Sequence, residues 1–397
     1  MTRRSSAFNV RLVFTGVALA SGGLAFYLPL MLSTVGLAHS GAWAAGILFG
    51  TNLGRLAGSH FASRHGVFTQ RRGAIVGNIL LEGVALFSMA FIEVPWGLVA
   101  VATLAGLGSG LSFPGMKSCL MRLPGVDSAR VFAGLSLALR VGMALGYLAG
   151  ALVGGSHLTA VFSVLLVLFV GYAGFMDLAM RDIDSAHAAP PPAPTQAAPP
   201  APSADAPLPV SLTLVLLANA VFWFLTIQPS VTMSLYVPRY VPGLAVSTTY
   251  GLSTVTVLLL QMRVTRLARG PAGHLAFLRM GIATLAAAFA LLALAGGHAA
   301  PVLGASVLLA LSQVFYSPSL DVLVAGDARA RGLDLGKTMA RQLFWQNLGM
   351  MSGSLFAGAL FDEALRREMP SLAWSLPAMG SLAMLVAWST AMRRARA

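Results

Sequence analysis

Residues 182–209 read DIDSAHAAPPPAPTQAAPPAPSADAPLP. Proline has no N–H to give a helix, and alanine and serine offer little apolar surface to bury. The stretch therefore reads as an extended tether without a core. On both sides of it the chain turns apolar. Crossing a bilayer takes about 20 mostly apolar residues, and such stretches precede the tether at 12–32, 42–62, 73–93, 96–116, 131–155 and 158–180. They follow it at 210–236, 244–262, 275–296, 300–324, 338–361 and 372–392. The expected organisation is an all-α membrane protein of twelve transmembrane helices. An N-terminal six-helix bundle covers 1–181, a linker 182–209 and a C-terminal six-helix bundle 210–397.

Composition points the same way. Hydrophobic residues make up 57% of the 397 and charged residues 10%, where a soluble domain carries about 25% charged. Mean hydropathy is +0.78. A chain this poor in charge has lipid as the solvent for much of its surface. The single cysteine, Cys119, excludes an intramolecular disulfide and reads as a small buried apolar residue. The net charge of +13 is spread in short clusters between apolar stretches, whereas a nucleic-acid binder collects it on one soluble face. No nucleic-acid partner is expected.

The basic residues set a direction. With the N-terminus in the cytoplasm, Arg64, Arg71, Arg72, Lys117, Arg122, Arg130, Arg263, Arg266, Arg269, Arg329, Arg331 and the tail Arg393, Arg394 and Arg396 fall inside. Only Arg239, Arg366 and Arg367 fall outside, while Arg55, Arg140, Arg279 and Arg341 lie within or beside spans. The positive-inside rule then puts both termini in the cytoplasm.

The halves read as copies. Tyr27-Leu28-Pro29 is expected to close the first span and Tyr236-Val237-Pro238 the seventh. Pro114 and Pro318 are expected to break the fourth and tenth spans. Arginines at 140 and 341 follow in the fifth and eleventh. Two pseudo-symmetric bundles of this kind are the architecture of many secondary transporters.

Gly58-Ser-His-Phe-Ala-Ser-Arg64-His-Gly66, followed by Arg71-Arg72, resembles the loop between helices two and three of the major facilitator superfamily, with Ser63 where the family carries an acid. The glycines at 134, 142, 146, 150 and 154–155 are similar to the glycine-rich fifth helix of its antiporters. The segment from Pro318 to Gly332 resembles the corresponding loop of bacterial proton-coupled multidrug exporters, beside which siderophore exporters lie. The resemblance implies a monomeric inner-membrane carrier without cofactor or metal, moving a small organic molecule by alternating access. Proton-driven export of an amphipathic drug is the first reading, export of a carboxylate siderophore or similar anionic metabolite the second, and a nutrient importer or a non-transporting membrane receptor the last.

Charge inside the membrane costs roughly 2.5–3.5 kcal/mol per residue at a helix centre, so each such residue marks a candidate site. Glu82 is the one acid deep in a span and is either a proton carrier or a structural hydrogen-bond partner. Arg140 falls ten residues past Arg130, about 15 Å along the helix, and either binds a substrate anion, pairs with an acid or reaches toward the interface. Arg55, Arg64, Gly66 and Arg341 are candidates for gating, and Lys117 and Asp321, each three residues past a paired proline, are expected to meet across the cytoplasmic mouth. By analogy with the family, Phe26 and Tyr27 of the first span and Trp223, Phe224 and Gln228 of the seventh are expected to line the cavity, Trp223 and Phe224 being equally suited to face lipid or pack between helices. Gln313, Tyr316, Trp345, Gln346 and Asn347 are expected to line it from the tenth and eleventh. Histidines are scattered singly, and no His-Glu-x-x-His, Gly-x-Ser-x-Gly or phosphate loop occurs, so a membrane enzyme or an ATP-driven pump in this chain is not expected.

Overall fold

Lipid offers no partner to backbone N–H and C=O groups, so a spanning segment must satisfy them along its own length. Each apolar stretch accordingly forms a helix. The computed structural model describes residues 6–65, 67–121, 128–153, 158–187, 208, 210–267, 270–333 and 335–394, and among them there is no strand. The first half holds α1 (Ser6–Ala38), α2 (Gly41–Arg64), α3 (Arg72–Ser88), α4 (Pro95–Met121), α5 (Ser128–Val153) and α6 (Leu158–His187). The second holds α7 (Leu212–Tyr240), α8 (Val246–Leu267), α9 (Gly270–Ala293), α10 (Ala299–Ala330), α11 (Leu335–Arg366) and α12 (Leu372–Arg394). A four-residue helix, Val67–Gln70, sits between α2 and α3; the twelve longer helices run up and down in turn, so α1 begins and α12 ends at one end of the bundle, here called the terminal end, and the other is the far end.

Eight of these helices are long and apolar enough to cross a membrane by length and composition alone. The four that fall short among the described residues are α2, α5, α8 and α11. They are the helices through which the halves meet, α2 against α11 and α5 against α8. A helix facing protein or a cleft needs a narrower apolar stripe than one facing lipid on most sides.

Packing repeats between the halves. Helix α5 lies on α1 as α11 lies on α7, α2 on α4 as α8 on α10, and α3 on α6 as α9 on α12. Small residues make the closest of these contacts. A β-carbon at Gly142 or Gly146 would overlap the Ala18 or Gly22 carbonyl of α1. One at Gly349 or Gly353 would overlap Ala220 or Phe224 of α7. The glycine stripe of α5 is thus a tight backbone-to-backbone seam within the first half. At the terminal end Asp177 of α6 takes Arg72 Nε at 2.6 Å and Arg181 Nη2 at 2.8 Å, tying α3 to α6.

Several expectations change. Tyr27-Leu-Pro29 and Tyr236-Val-Pro238 do not close their helices, because α1 runs on to Ala38 and α7 to Tyr240 with the prolines inside. Nor do Pro114 and Pro318 break α4 and α10, which continue to Met121 and Ala330. A proline costs a helix one hydrogen bond, and packed neighbours in a membrane bundle re-satisfy the freed group. Helix α6 extends to His187, into the stretch read as linker. At the linker's other end Leu208 is buried, and its N–H donates to Asp327 Oδ1 of α10 at 2.9 Å. Residues 188–207 lie outside the described residues.

Candidate functional site

The halves are joined at the far end by three contacts. Between α2 and α11, Gly358 approaches Gly41 and Ala45 so closely that a β-carbon would overlap both. One turn on, Asp362 accepts the backbone N–H of Gly41 through Oδ1 at 2.8 Å and that of Ala42 through Oδ2 at 2.9 Å. The first N–H groups of a helix have no partner within it, and here a carboxylate from the opposite half supplies one. Ser40 serves the next, accepting from Trp43 N at 3.4 Å. Between α5 and α8, the rings of Tyr147 and Tyr250 stack with centroids 5.3 Å apart and planes 25° from parallel. Gly150 leaves room beside them for Ser247. Between α1 and α7, Gly36 accommodates the Leu235 side chain.

Beneath this closure lies Arg140. It stands seven residues, close to two helical turns, before Tyr147 and hence on the same α8-facing stripe of α5. Tyr147 is the titratable side chain close to it. Its side chain is half-buried. The residue therefore lies on the face of α5 that carries Tyr147, and no ion pair of it with a carboxylate occurs among the described residues.

Glu82 lies elsewhere, inside the first half. It is buried on α3, hydrogen-bonded by Ser109 of α4 and close to Arg55 of α2. Tyr27 joins this cluster, buried against Phe162 of α6 with ring centroids 5.6 Å apart, and has Arg55 and Glu82 as its charged neighbours. Tyr27 is therefore a core residue of the first half, not a cavity-lining one. Arg55 faces Glu82 within one bundle.

In the second half, α7, α8 and α10 enclose a cavity of about 70 Å³ beside Tyr250. Its walls include Thr226, Ser230, Thr249, Ser253, Ser306 and Gln313. The proline at 229 shapes it: the Tyr250 hydroxyl donates to the Ser230 carbonyl at 2.7 Å in the turn that follows and shares a hydrogen bond with Ser234 at 3.0 Å. A larger cavity of about 290 Å³ lies at the far end inside the first half, with Glu93 and His39 at apolar walls formed by Met31, Met89 and Phe162. It is away from the seam and from Arg140.

Two more expected lining residues are core. Tyr316 is buried and stacks flat on Phe222 with centroids 3.6 Å apart, and Gln228 is 1% exposed, bonding the Phe224 carbonyl of its own helix. Trp345, Gln346 and Asn347 on α11 are half-buried. Of the gating candidates, Arg64 is exposed at the end of α2 and Arg341 is exposed on α11. Gly66 and the Lys117 side chain lie outside the described residues. Asp321 is engaged within its own half, accepting from Gln342 Nε2 of α11 at 2.6 Å. Sequence reasoning passed over Asp362, Tyr147, Tyr250 and Ser253. The Tyr147–Tyr250 pairing needs two helices' rotation about their axes, which no one-dimensional pattern carries. Asp362 falls just past the end of the eleventh apolar stretch, where nothing in the spacing marks it as a contact to the other half.

A model of the Major Facilitator Superfamily matches residues 10–336. A comparison with curated sequences gives no match. The fold is similar to solved transporters. The POT family transporter PepTSo has a TM-score of 0.72 at 13% identity, covering 100% of this chain and 99% of that one. An auto-inhibited POT family peptide transporter has 0.71 at 16% identity, covering 97% of each. The nucleoside transporter NupG has 0.70 at 14% identity, covering 98% of each. With the family model spanning most of its length, the chain belongs to the Major Facilitator Superfamily and is a multi-pass membrane transporter rather than an enzyme.

Proposed function

We propose that the protein carries a small organic anion, a carboxylate-bearing metabolite, across the bacterial inner membrane by alternating access, and that it does so in the export direction. Arg140 carries the reading. A guanidinium held between the halves without a carboxylate costs several kcal/mol in low dielectric unless something anionic completes it. An arginine also binds a carboxylate through two parallel hydrogen bonds. Asp362, the acid of the seam, is taken up by the Gly41 and Ala42 N–H groups at the far end, and a cationic drug beside Arg140 meets repulsion rather than a counter-charge. This favours the anionic substrate over the amphipathic drug.

With both termini in the cytoplasm, the far end is the outer end. The seam of Asp362, Gly358 and the tyrosine stack then closes the carrier to the outside and leaves Arg140 addressed from the cytoplasm. Across a membrane negative inside, a monoanion leaving the cell gains roughly 2.3 kcal/mol per 100 mV. Export is the direction this field favours. A coupling proton, where one is used, has Glu82 as its candidate site, beside Arg55 and Ser109.

The experiment is transport into proteoliposomes of a radiolabelled carboxylate and of a lipophilic cation, with wild type and Arg140→Gln. Carboxylate flux that disappears in the variant supports the reading. Cation flux indifferent to the variant overturns it.

A further inference from the structure

Resting on the anion reading, we propose that the α7–α8–α10 cavity is the second pole of the substrate site and takes an uncharged hydrogen-bonding group, a hydroxyl or carboxamide, at the end of the anion remote from its carboxylate. The cavity begins at Tyr250, whose ring stacks on Tyr147, and Arg140 stands two helical turns before Tyr147 on α5 with Tyr147 as a neighbour. A molecule held by the guanidinium and lying along the tyrosine pair reaches the cavity with its other end.

The walls specify what that end is. Thr226, Thr249 and Ser306 each give their hydroxyl proton to a carbonyl of their own helix, Phe222, Val246 and Val302 respectively. Their oxygen lone pairs are left as acceptors. Ser253 and Gln313 make no hydrogen bond among the described residues and are free to donate or accept. A ligand group that both donates and accepts is matched by this set. A bare alkyl end leaves the serine and glutamine unpaired, a penalty per group. No carboxylate lines the cavity, so a desolvated ammonium has nothing to neutralise it. The volume of about 70 Å³ holds a few water-sized groups, enough for a hydroxymethyl or a carboxamide.

The cavity also explains selectivity that Arg140 alone does not give. A guanidinium accepts any carboxylate; a buried polar pocket rejects those lacking the matching group.

The test is competition against wild-type transport by two matched series, straight-chain carboxylates of four to ten carbons and their ω-hydroxy counterparts. At the chain length that spans the site, the hydroxylated acid is expected to inhibit about tenfold better than the plain one, the worth of one neutral hydrogen bond. Ser253→Ala and Gln313→Leu are expected to bring that ratio near one, the plain acid gaining because its alkyl end no longer leaves a polar group unpaired. Gln313→Asn is expected to restore part of the preference. Thermal melting of each purified variant identifies any that fails to fold, and the remaining one then carries the test. A wild-type ratio near one at every length, or a ratio untouched in both folded variants, overturns the proposal. Inhibition by both series that survives Arg140→Gln overturns the anion reading instead, so the two failures are distinct.

Discussion

Asp362 and Gly41 belong to different halves of the chain, yet the carboxylate of one caps the helix that the other begins, at 2.8 Å. The contact sits where the halves must part if the carrier is to open at the far end. An acid on a helix N-terminus contributes about 0.3–1 kcal/mol through the dipole, and a capping side chain about 1 kcal/mol. Losing both shifts a two-state equilibrium by roughly ten- to thirtyfold.

Asp362→Ala is therefore expected to raise access from the far end. With Cys119 replaced by serine and a reporter cysteine in place of Ser253, a membrane-impermeant maleimide added at that face should label the variant several-fold faster than its parent. Equal labelling rates would remove the latch from the mechanism.

Two glycine substitutions separate opening from folding. Gly146→Ala forces a methyl into the Gly22 backbone of α1, within one half, and overpacking of this kind costs about 1–3 kcal/mol. It is expected to lower the melting temperature. Gly358→Ala presses on Gly41 and Ala45 across the seam, and the halves can relieve it by parting. Its melting temperature is expected to fall less than that of Gly146→Ala, while far-end labelling rises. Equal melting losses with unchanged labelling would contradict this division.

Glu82 and Arg55 test each other. Glu82 is buried and has the half-buried Arg55 as its charged neighbour, so removing either charge leaves the other less compensated. Glu82→Gln and Arg55→Gln are each expected to destabilise the purified protein, and the double variant by less than their sum. Additive losses would mean that the two side chains do not interact. In proteoliposomes, Glu82→Gln is also expected to lose any response of transport to a pH gradient; a retained response would exclude Glu82 as the proton site.

The linker's anchor is testable in the same way. Asp327 is fully buried and holds both the Leu208 N–H and Arg331 Nε at 2.9 and 2.8 Å. Asp327→Ala leaves a buried N–H unpaired, at about 1–3 kcal/mol, and is expected to speed proteinase K cleavage between the halves. Unchanged cleavage would mean that the anchor does not order the chain there.

The all-helical membrane architecture was legible because hydrophobic length survives any arrangement of helices in space. The family resemblance was legible in the Gly58–Gly66 loop and the glycines of α5. The site was legible only in part. Charge is expensive in a membrane, so Arg140 and Glu82 stood out by residue type alone. Which bundle each faces was not visible, since that depends on helix rotation: Tyr27 and Tyr316 turn into the cores, whereas Tyr147 and Tyr250 meet across the seam. The prolines misled for a related reason. A proline ends a helix in water, but α1, α4, α7 and α10 carry theirs inside.

The central claim is that Arg140 meets an anionic substrate between the halves, and the most direct measurement is carboxylate flux through Arg140→Gln and Arg140→Lys in proteoliposomes. The account predicts flux abolished in the first and partly retained in the second, with both proteins melting near wild type. Undiminished flux in folded Arg140→Gln would contradict it.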